Sequence, residues 1–281
     1  MWPLGAPSKS VDSVLTACIS NIANPTLKNN FAGTAQLLNT SEATFINAAK
    51  TNTLHQFPAT AGVGVISRSQ MIWLYNNKMA HAKSPGRAMY DEIKMAAPFG
   101  RCPLCGRGSV YTLDHHLPKA AYPDLCITPA NLIPACQDCN KNKTQVAPQT
   151  CVEETLHPYF DNVDGDIWLR ARIVEESPAA ILFFVLPPSP WTATLAARVQ
   201  NHFKLYKLKT LFASLAAEEL SNIRRHLAGP QARSGKLGVR DHLLSIAASH
   251  RSTRLNTWQA AAYSAMADSD WFCEGGFALS G

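Results

Sequence analysis

The sequence predicts an α+β protein, and three observations carry that reading. Apolar residues recur at helical spacing through residues 1–95 and again from Trp191 onward. Residues 96–160 lose that periodicity and collect Cys, His, Pro, Asn and Asp instead. Residues 167–174 show alternation and lead into an apolar run over 179–186, as the two strands of a hairpin do. Four regions follow: a helical N-terminal region 1–95, a small module 96–160, a β-hairpin 161–190 and a helical C-terminal region 191–281. No stretch rich in Gly, Ser or charge separates them, so they are expected to pack as one body.

At about 150 residues per domain, a chain of 281 residues allows one large domain or two small ones. The apolar share is 46% and the charged share only 16%. That excludes a disordered chain, because enough apolar surface exists to offset the entropy of ordering. The apolar run at 179–186 is far shorter than the roughly 18 residues a spanning helix needs. Met1-Trp2-Pro3-Leu4-Gly5 shows no basic region leading an apolar one. A cytoplasmic protein without membrane association is expected.

Taken in order, Val11, Val14 and Leu15 open a periodic run that ends before Asn24-Pro25. A second helix is expected from Ser41, with Asn39, Thr40 or Ser41 as its N-cap. Residues 67–79 carry Met71, Leu74 and Tyr75 at helical spacing, and residues 87–95 carry Met89, Tyr90 and Ile93. Such stripes mark core faces. Pro187-Pro188 closes the hairpin. From Trp191, Leu195, Val199, Phe203 and Tyr206 define one helical face, while Leu205, Leu208, Phe212 and Leu215 define another. Gly229-Pro230 is expected to stop that helical region. Helical stretches follow at 239–248 and 257–266.

Charge is unevenly spread. Residues 198–254 hold eleven basic residues against three acids, and residues 153–176 hold seven acids against two arginines. The basic stretch fits either attraction to a polyanion or a solvated helical surface.

Eight cysteines in a cytosolic protein do not read as a disulfide set. Cys18, Cys126, Cys151 and Cys273 are scattered and read as small buried hydrophobes. Cys102-x-x-Cys105 and Cys136-x-x-Cys139 are different, because two such turns offer four soft thiolates to one tetrahedral Zn²⁺. A four-cysteine site has no open position, so that zinc is expected to be structural. Thirty residues separate the pairs, more than the roughly 15–20 of a simple zinc ribbon. Something is inserted between the knuckles.

The insert holds Leu113-Asp114-His115-His116-Leu117-Pro118-Lys119 and Asn131-Leu132-Ile133-Pro134, and Asn140-Lys141-Asn142-Lys143 follows the second pair. Over residues 101–143 the sequence resembles the zinc-stapled branch of the HNH (ββα-metal) endonucleases. The resemblance implies a ββα-metal module in which Asp114 is a metal ligand and His115 the general base. It further implies that Asn131 braces the loop between strand and helix, and that Asn140 is the second ligand. The base is assigned to His115 over His116 because Pro118 stands three residues after it, as is common in the family. His116 then reads as a neighbour on the opposite strand face. The chemistry agrees: phosphodiester hydrolysis needs an activated water and a cation on the phosphate. An imidazole serves as base near neutral pH, and Mg²⁺ or Mn²⁺ needs only one or two protein oxygens. Lys119, Lys141 and Lys143 are candidate phosphate contacts, though Lys141 and Lys143 read equally as solvated charges.

His115-x-x-Pro118-Lys119-x-x-Tyr122-Pro123 and His157-Pro158-Tyr159-Phe160-Asp161 are also similar to HNH effectors of bacterial antiviral systems, Septu-type and retron-associated ones included. His157 itself reads as a packing or turn residue. The expected function is a metal-dependent endonuclease acting on DNA, with a regulatory partner such as an ATPase or sensor docked on its helical flanks. The alternative is a non-catalytic zinc-stapled module that binds nucleic acid or protein.

Overall fold

Helix α1 (Val11–Ile19) begins at Ser10, whose hydroxyl accepts from the Ser13 amide at 3.3 Å. Its buried residues Val11, Val14, Leu15, Cys18 and Ile19 form one apolar stripe at helical spacing. Asn24 caps α2 (Pro25–Ala32), with Pro25 at the first helical position, where its missing N–H costs nothing. Helix α3 (Ala35–Thr51) starts earlier than the sequence suggests, and Asn39, Thr40 and Ser41 lie inside it. Buried Leu38 belongs to the same stripe as Phe45, Ala48 and Ala49. The Thr40 hydroxyl is satisfied by the Gln36 carbonyl one turn back, at 2.9 Å, and caps nothing.

A two-residue pair of strands, β1 (Gly62–Val63) and β2 (Ile66–Ser67), leads into α4 (Arg68–Leu74). Ser67 and Gln70 form a reciprocal capping box there. The helix expected over residues 67–79 does not run regularly to its end, because Tyr75–Ala80 widens into a π-helical turn that buries Tyr75 and Met79. Helix α5 (Arg87–Met95) keeps the expected bounds and buries Tyr90 and Ile93.

Strands β3 (Thr112–His115) and β4 (Leu132–Ala135) are antiparallel, pairing Asp114 with Ile133 and His115 with Leu132. Helix α6 (Gln137–Lys143) follows at once. The helices before this module fill its two flanks. Leu113, Cys126, Ile127 and Leu132 share a core with residues of α1, α2, α4 and α5. Leu117, Tyr122, Leu125 and Ala130 share another with Phe45, Leu54 and Phe57.

The computed structural model describes residues 1–279, which divide into two compact units, Met1–Asn162 and residue 163 onward. Each unit combines two of the four regions read from sequence. In the second, β5 (Leu169–Val174) and β6 (Ala180–Val185) form the expected antiparallel hairpin, with Leu169, Ile173, Ile181 and Phe183 buried. Helix α7 (Ala193–Leu205) ends where Lys207 takes φ 53°. Of the two apolar faces read from sequence, Leu195, Val199 and Phe203 lie on α7 together with Leu205, whereas Leu208, Phe212 and Leu215 lie on α8 (Leu208–Thr253).

Gly229-Pro230 does not stop α8; Pro230 is buried inside it. The break comes at Ser234 and Gly235, where glycine supplies the positive φ of 57° that a sharp change of direction requires. Thr257 caps α9 (Trp258–Asp268), and α10 (Asp270–Cys273) follows. The whole is mostly helical α+β with small two-stranded sheets. Among the described residues no helix is long and apolar enough to cross a membrane.

Candidate metal centre and adjoining cavity

Cys102, Cys105, Cys136 and Cys139 are all buried, and their four sulfurs lie within 4.8 Å of one another. The first pair sits on a turn in which the Gly106 amide donates to the Cys102 carbonyl at 2.7 Å. The second pair opens α6, with Cys136 as its N-cap. The Cys105 and Cys136 sulfurs are 3.9 Å apart. That is far beyond the roughly 2.05 Å of a disulfide. It matches the edge of about 3.8 Å of a tetrahedron whose metal–sulfur bonds are about 2.3 Å, as for Zn²⁺.

The amides of Gly108 and Cys139 point at Cys105 Sγ (3.3 Å) and Cys136 Sγ (3.5 Å), a setting that favours thiolates. Glycine is required at 108, since a Cβ there would lie 2.7 Å from Cys136 Sγ. Hydrogen bonds shared among the thiols hold Cys105 and Cys136 low and Cys102 and Cys139 high. A cluster this tight divides its protons unevenly, and a bound cation would replace them. The four residues can thus hold one metal ion, with no position left open. Of the scattered cysteines, Cys18, Cys126 and Cys273 are buried as expected, whereas Cys151 is only half-buried.

Beside this centre lies a cavity of about 540 Å³, lined among others by Asp114, His115, Lys119, Asn140, Lys141 and Lys143. Residues from the end of β3 and from α6 therefore meet in one space. His115 is buried, with its ring edge-on to Tyr75 at 4.5 Å. His115 Nε2 lies 2.8 Å from the Cys126 carbonyl oxygen. A carbonyl only accepts, so Nε2 carries the hydrogen and Nδ1 keeps its lone pair. Burial, with Lys119 and Lys143 adding to it, pushes the imidazole down to about 3, so the ring is neutral at ordinary pH.

Asp114 is also buried, which pushes its carboxyl up, while the nearby Lys143 ammonium pulls it back. Lys143 is not the solvated charge that is one of the two roles open to it in the sequence. It is 7% exposed, its Nζ lies 3.5 Å from Asp114 Oδ2, and it donates to the His115 carbonyl. Lys141 is exposed at the cavity rim. Lys119 is half-buried, its Nζ 4.5 Å from the centre of the Tyr75 ring and donating to Asn76 Oδ1 at 3.0 Å. Asn140 is exposed and lines the same cavity.

Asn131 lies outside the cavity lining, fully buried. Its Oδ1 accepts from the Leu117 amide at 2.7 Å, and its Nδ2 donates to the carbonyls of Leu117 (3.0 Å) and Leu125 (3.2 Å). The loop it braces joins the two strands, rather than a strand to a helix, because Leu117 and Leu125 both precede β4. The His115-His116 doublet is divided by direction. His115 lines the cavity, while the His116 ring lies 4.3 Å from that of His157. His157 is packed against Phe45 and Phe160, and its Nδ1 accepts from the Tyr159 amide.

Tyr75 and Asn76 are cavity residues that sequence reasoning did not find. Tyr75 sits in an apolar stripe and reads as core; only the π-helical turn after α4 brings it and Asn76 to the cavity wall.

No protein-family model matches the chain, and no solved structure matches it. Protein ea31 of Escherichia phage lambda is 30% identical over 237 aligned residues, covering 79% of this chain and 79% of the phage protein. An alignment of that length is longer than either compact unit, so it takes in residues of both. The chain belongs to the family of the phage lambda protein ea31.

Proposed function

We propose that this chain is a metal-dependent DNA endonuclease of the HNH type, stapled by a structural zinc at Cys102, Cys105, Cys136 and Cys139. The observation that carries the reading is one cavity lined by a buried carboxylate, an amide and a neutral imidazole whose Nδ1 is left as the acceptor. None of Asp114, His115 and Asn140 belongs to the four-cysteine set, so their convergence is not explained by metal binding there.

In this reading His115 Nδ1 takes the proton of the attacking water. Its Nε2–H bond to Cys126 holds the ring in the required tautomer. Asp114 and Asn140 are hard oxygen donors suited to Mg²⁺ or Mn²⁺. Such a cation, when bound, supplies charge stabilisation to the phosphate and the leaving oxygen. Lys119 and Lys141 lie on the cavity lining, where phosphates of the substrate strand would pass. Asn131 acts at a distance, fixing the loop that follows His115. The looser likeness to antiviral effectors extends the proposal to a defence role under control of a partner such as an ATPase or sensor. A monomer that is fully active alone would remove the basis for that control.

The test is incubation of the zinc-loaded full chain with supercoiled plasmid, single-stranded DNA and RNA, each with Mg²⁺ or Mn²⁺. Cleavage of DNA, leaving 5′-phosphate and 3′-hydroxyl ends, is expected. The second reading, a zinc-stapled binding module, draws on the Lys143–Asp114 pair, which engages the carboxylate without any metal. DNA binding with no cleavage under every metal would favour it.

A further inference from the structure

Lys143 is set by the same helix that carries two of the cysteines. On α6, Cys139 and Lys143 are four residues apart, hence on one face, and both are buried. The four-cysteine cluster fixes the start of this helix, and the helix delivers the ammonium to Asp114 Oδ2 and to the His115 carbonyl. Asn140, three residues before Lys143, lines the cavity from the same helix. A buried carboxylate with an ammonium 3.5 Å away already has its counter-charge. A divalent cation brought to that oxygen would face a like charge at close range in a poorly screened site.

Resting on the endonuclease reading, we infer that Lys143 is the resident counter-ion of Asp114, and that a divalent metal binds only by displacing its ammonium into the cavity. The four-carbon stem of lysine allows such a swing, and the cavity has the volume to receive it. A displaced ammonium lies where a substrate phosphate would arrive, so phosphate gives it a second partner. Metal and nucleic acid then bind cooperatively, and the site takes metal only weakly until substrate comes.

Binding of Mn²⁺ to the zinc-loaded full chain, followed by electron paramagnetic resonance, tests this, with Asp114→Asn as the blank. Lys143→Met keeps the stem and removes the charge. It is expected to bind Mn²⁺ at least tenfold more tightly than wild type. A short duplex of phosphorothioate DNA should tighten wild-type binding and have a smaller effect on the variant. Equal or weaker binding by Lys143→Met overturns the inference and leaves the endonuclease reading standing. If wild type and Lys143→Met both bind no more than Asp114→Asn, the metal reading falls and the inference with it. Should Lys143→Met fail to fold, acetylation of wild type read by mass spectrometry replaces it. Lys143 should be protected without Mn²⁺ and modified when Mn²⁺ is present, and unchanged protection at saturating Mn²⁺ overturns the inference.

Discussion

The two compact units spend their buried space differently. In the unit of residues 1–162, the interior around β3, β4 and α6 holds Asp114, His115, His116, Asn131, Lys143 and four cysteines. In the unit from residue 163 onward, the hairpin and helices bury chiefly apolar stripes, with Arg198 and His202 as buried polar residues on α7. The ion pairs Arg240–Asp270 and Lys236–Glu274 lie toward the surface, while Arg254–Asp164 is half-buried. Burying polar groups is costly unless each is paired, so the first unit, which buries more of them, depends more on specific partners and the second more on area. The first unit is therefore the one in which single changes should have large and separable effects.

The largest effect is expected from removing the metal. Chelation leaves the buried sulfurs without their shared cation, Cys139→Ser removes one of the four ligands, and either frees the start of α6. Structural zinc contributes on the order of 10 kcal/mol in small domains. Hydrogen exchange should lose protection over β3, β4 and α6, while β5, β6 and α8 keep theirs. Equal loss in both units would erase the contrast between them.

Asn131→Ala comes next. It strands the amide and the carbonyl of Leu117 in the interior, while the Leu125 carbonyl keeps the Thr128 amide at 3.3 Å. At about 1–3 kcal/mol for each buried group left unsatisfied, denaturant unfolding of the first unit should register a loss of about 2–6 kcal/mol.

Acid sharpens the same contrast. His115 titrates near 6.5 when unfolded and is pushed down to about 3 by burial, so the unfolded chain takes up its proton first. Its contribution to stability is present above about pH 6.5 and is lost as pH falls toward about 3. In the second unit His250 is shifted in the same direction but is far less buried. Exposed Asp270 is held low by half-buried Arg240 and matters only through the carboxylate range. Unfolding probes in each unit, read as pH falls from 7 to 4, should show the first unit weakening earlier.

The smallest effect lies in the second unit. Thr257→Ala removes the cap whose hydroxyl accepts from the Ala260 amide at 3.1 Å, and should cost about 1 kcal/mol by thermal melting.

How much of this was legible in the sequence follows the same division. The start of α1, the bounds of α5 and the hairpin are readable because a local pattern decides them. Val11 to Ile19 forms one clean stripe, and the strand pair is flanked by proline and alternates. The four-cysteine set is readable because its spacing has little other use. What was missed depends on residues distant in sequence. The start of α3 hangs on Leu38 finding a core. The break in α8 falls at Gly235 rather than Pro230, since the longer helix keeps Leu227 and Pro230 buried together. The burial of Lys143 requires Asp114, which lies 29 residues earlier. Its one local signal, a lysine four residues after a cysteine of the cluster, gains meaning only once that face of α6 is known to point inward.

The central claim is that His115 is the base of a hydrolytic site and that the cysteine centre is scaffolding. The most direct measurement compares wild type with His115→Ala in plasmid cleavage under Mn²⁺, with zinc content and far-ultraviolet circular dichroism recorded on the same samples. The account predicts one zinc per chain and unchanged helicity in both proteins, with cleavage by wild type and none by the variant. Cleavage by His115→Ala at the wild-type rate would contradict it.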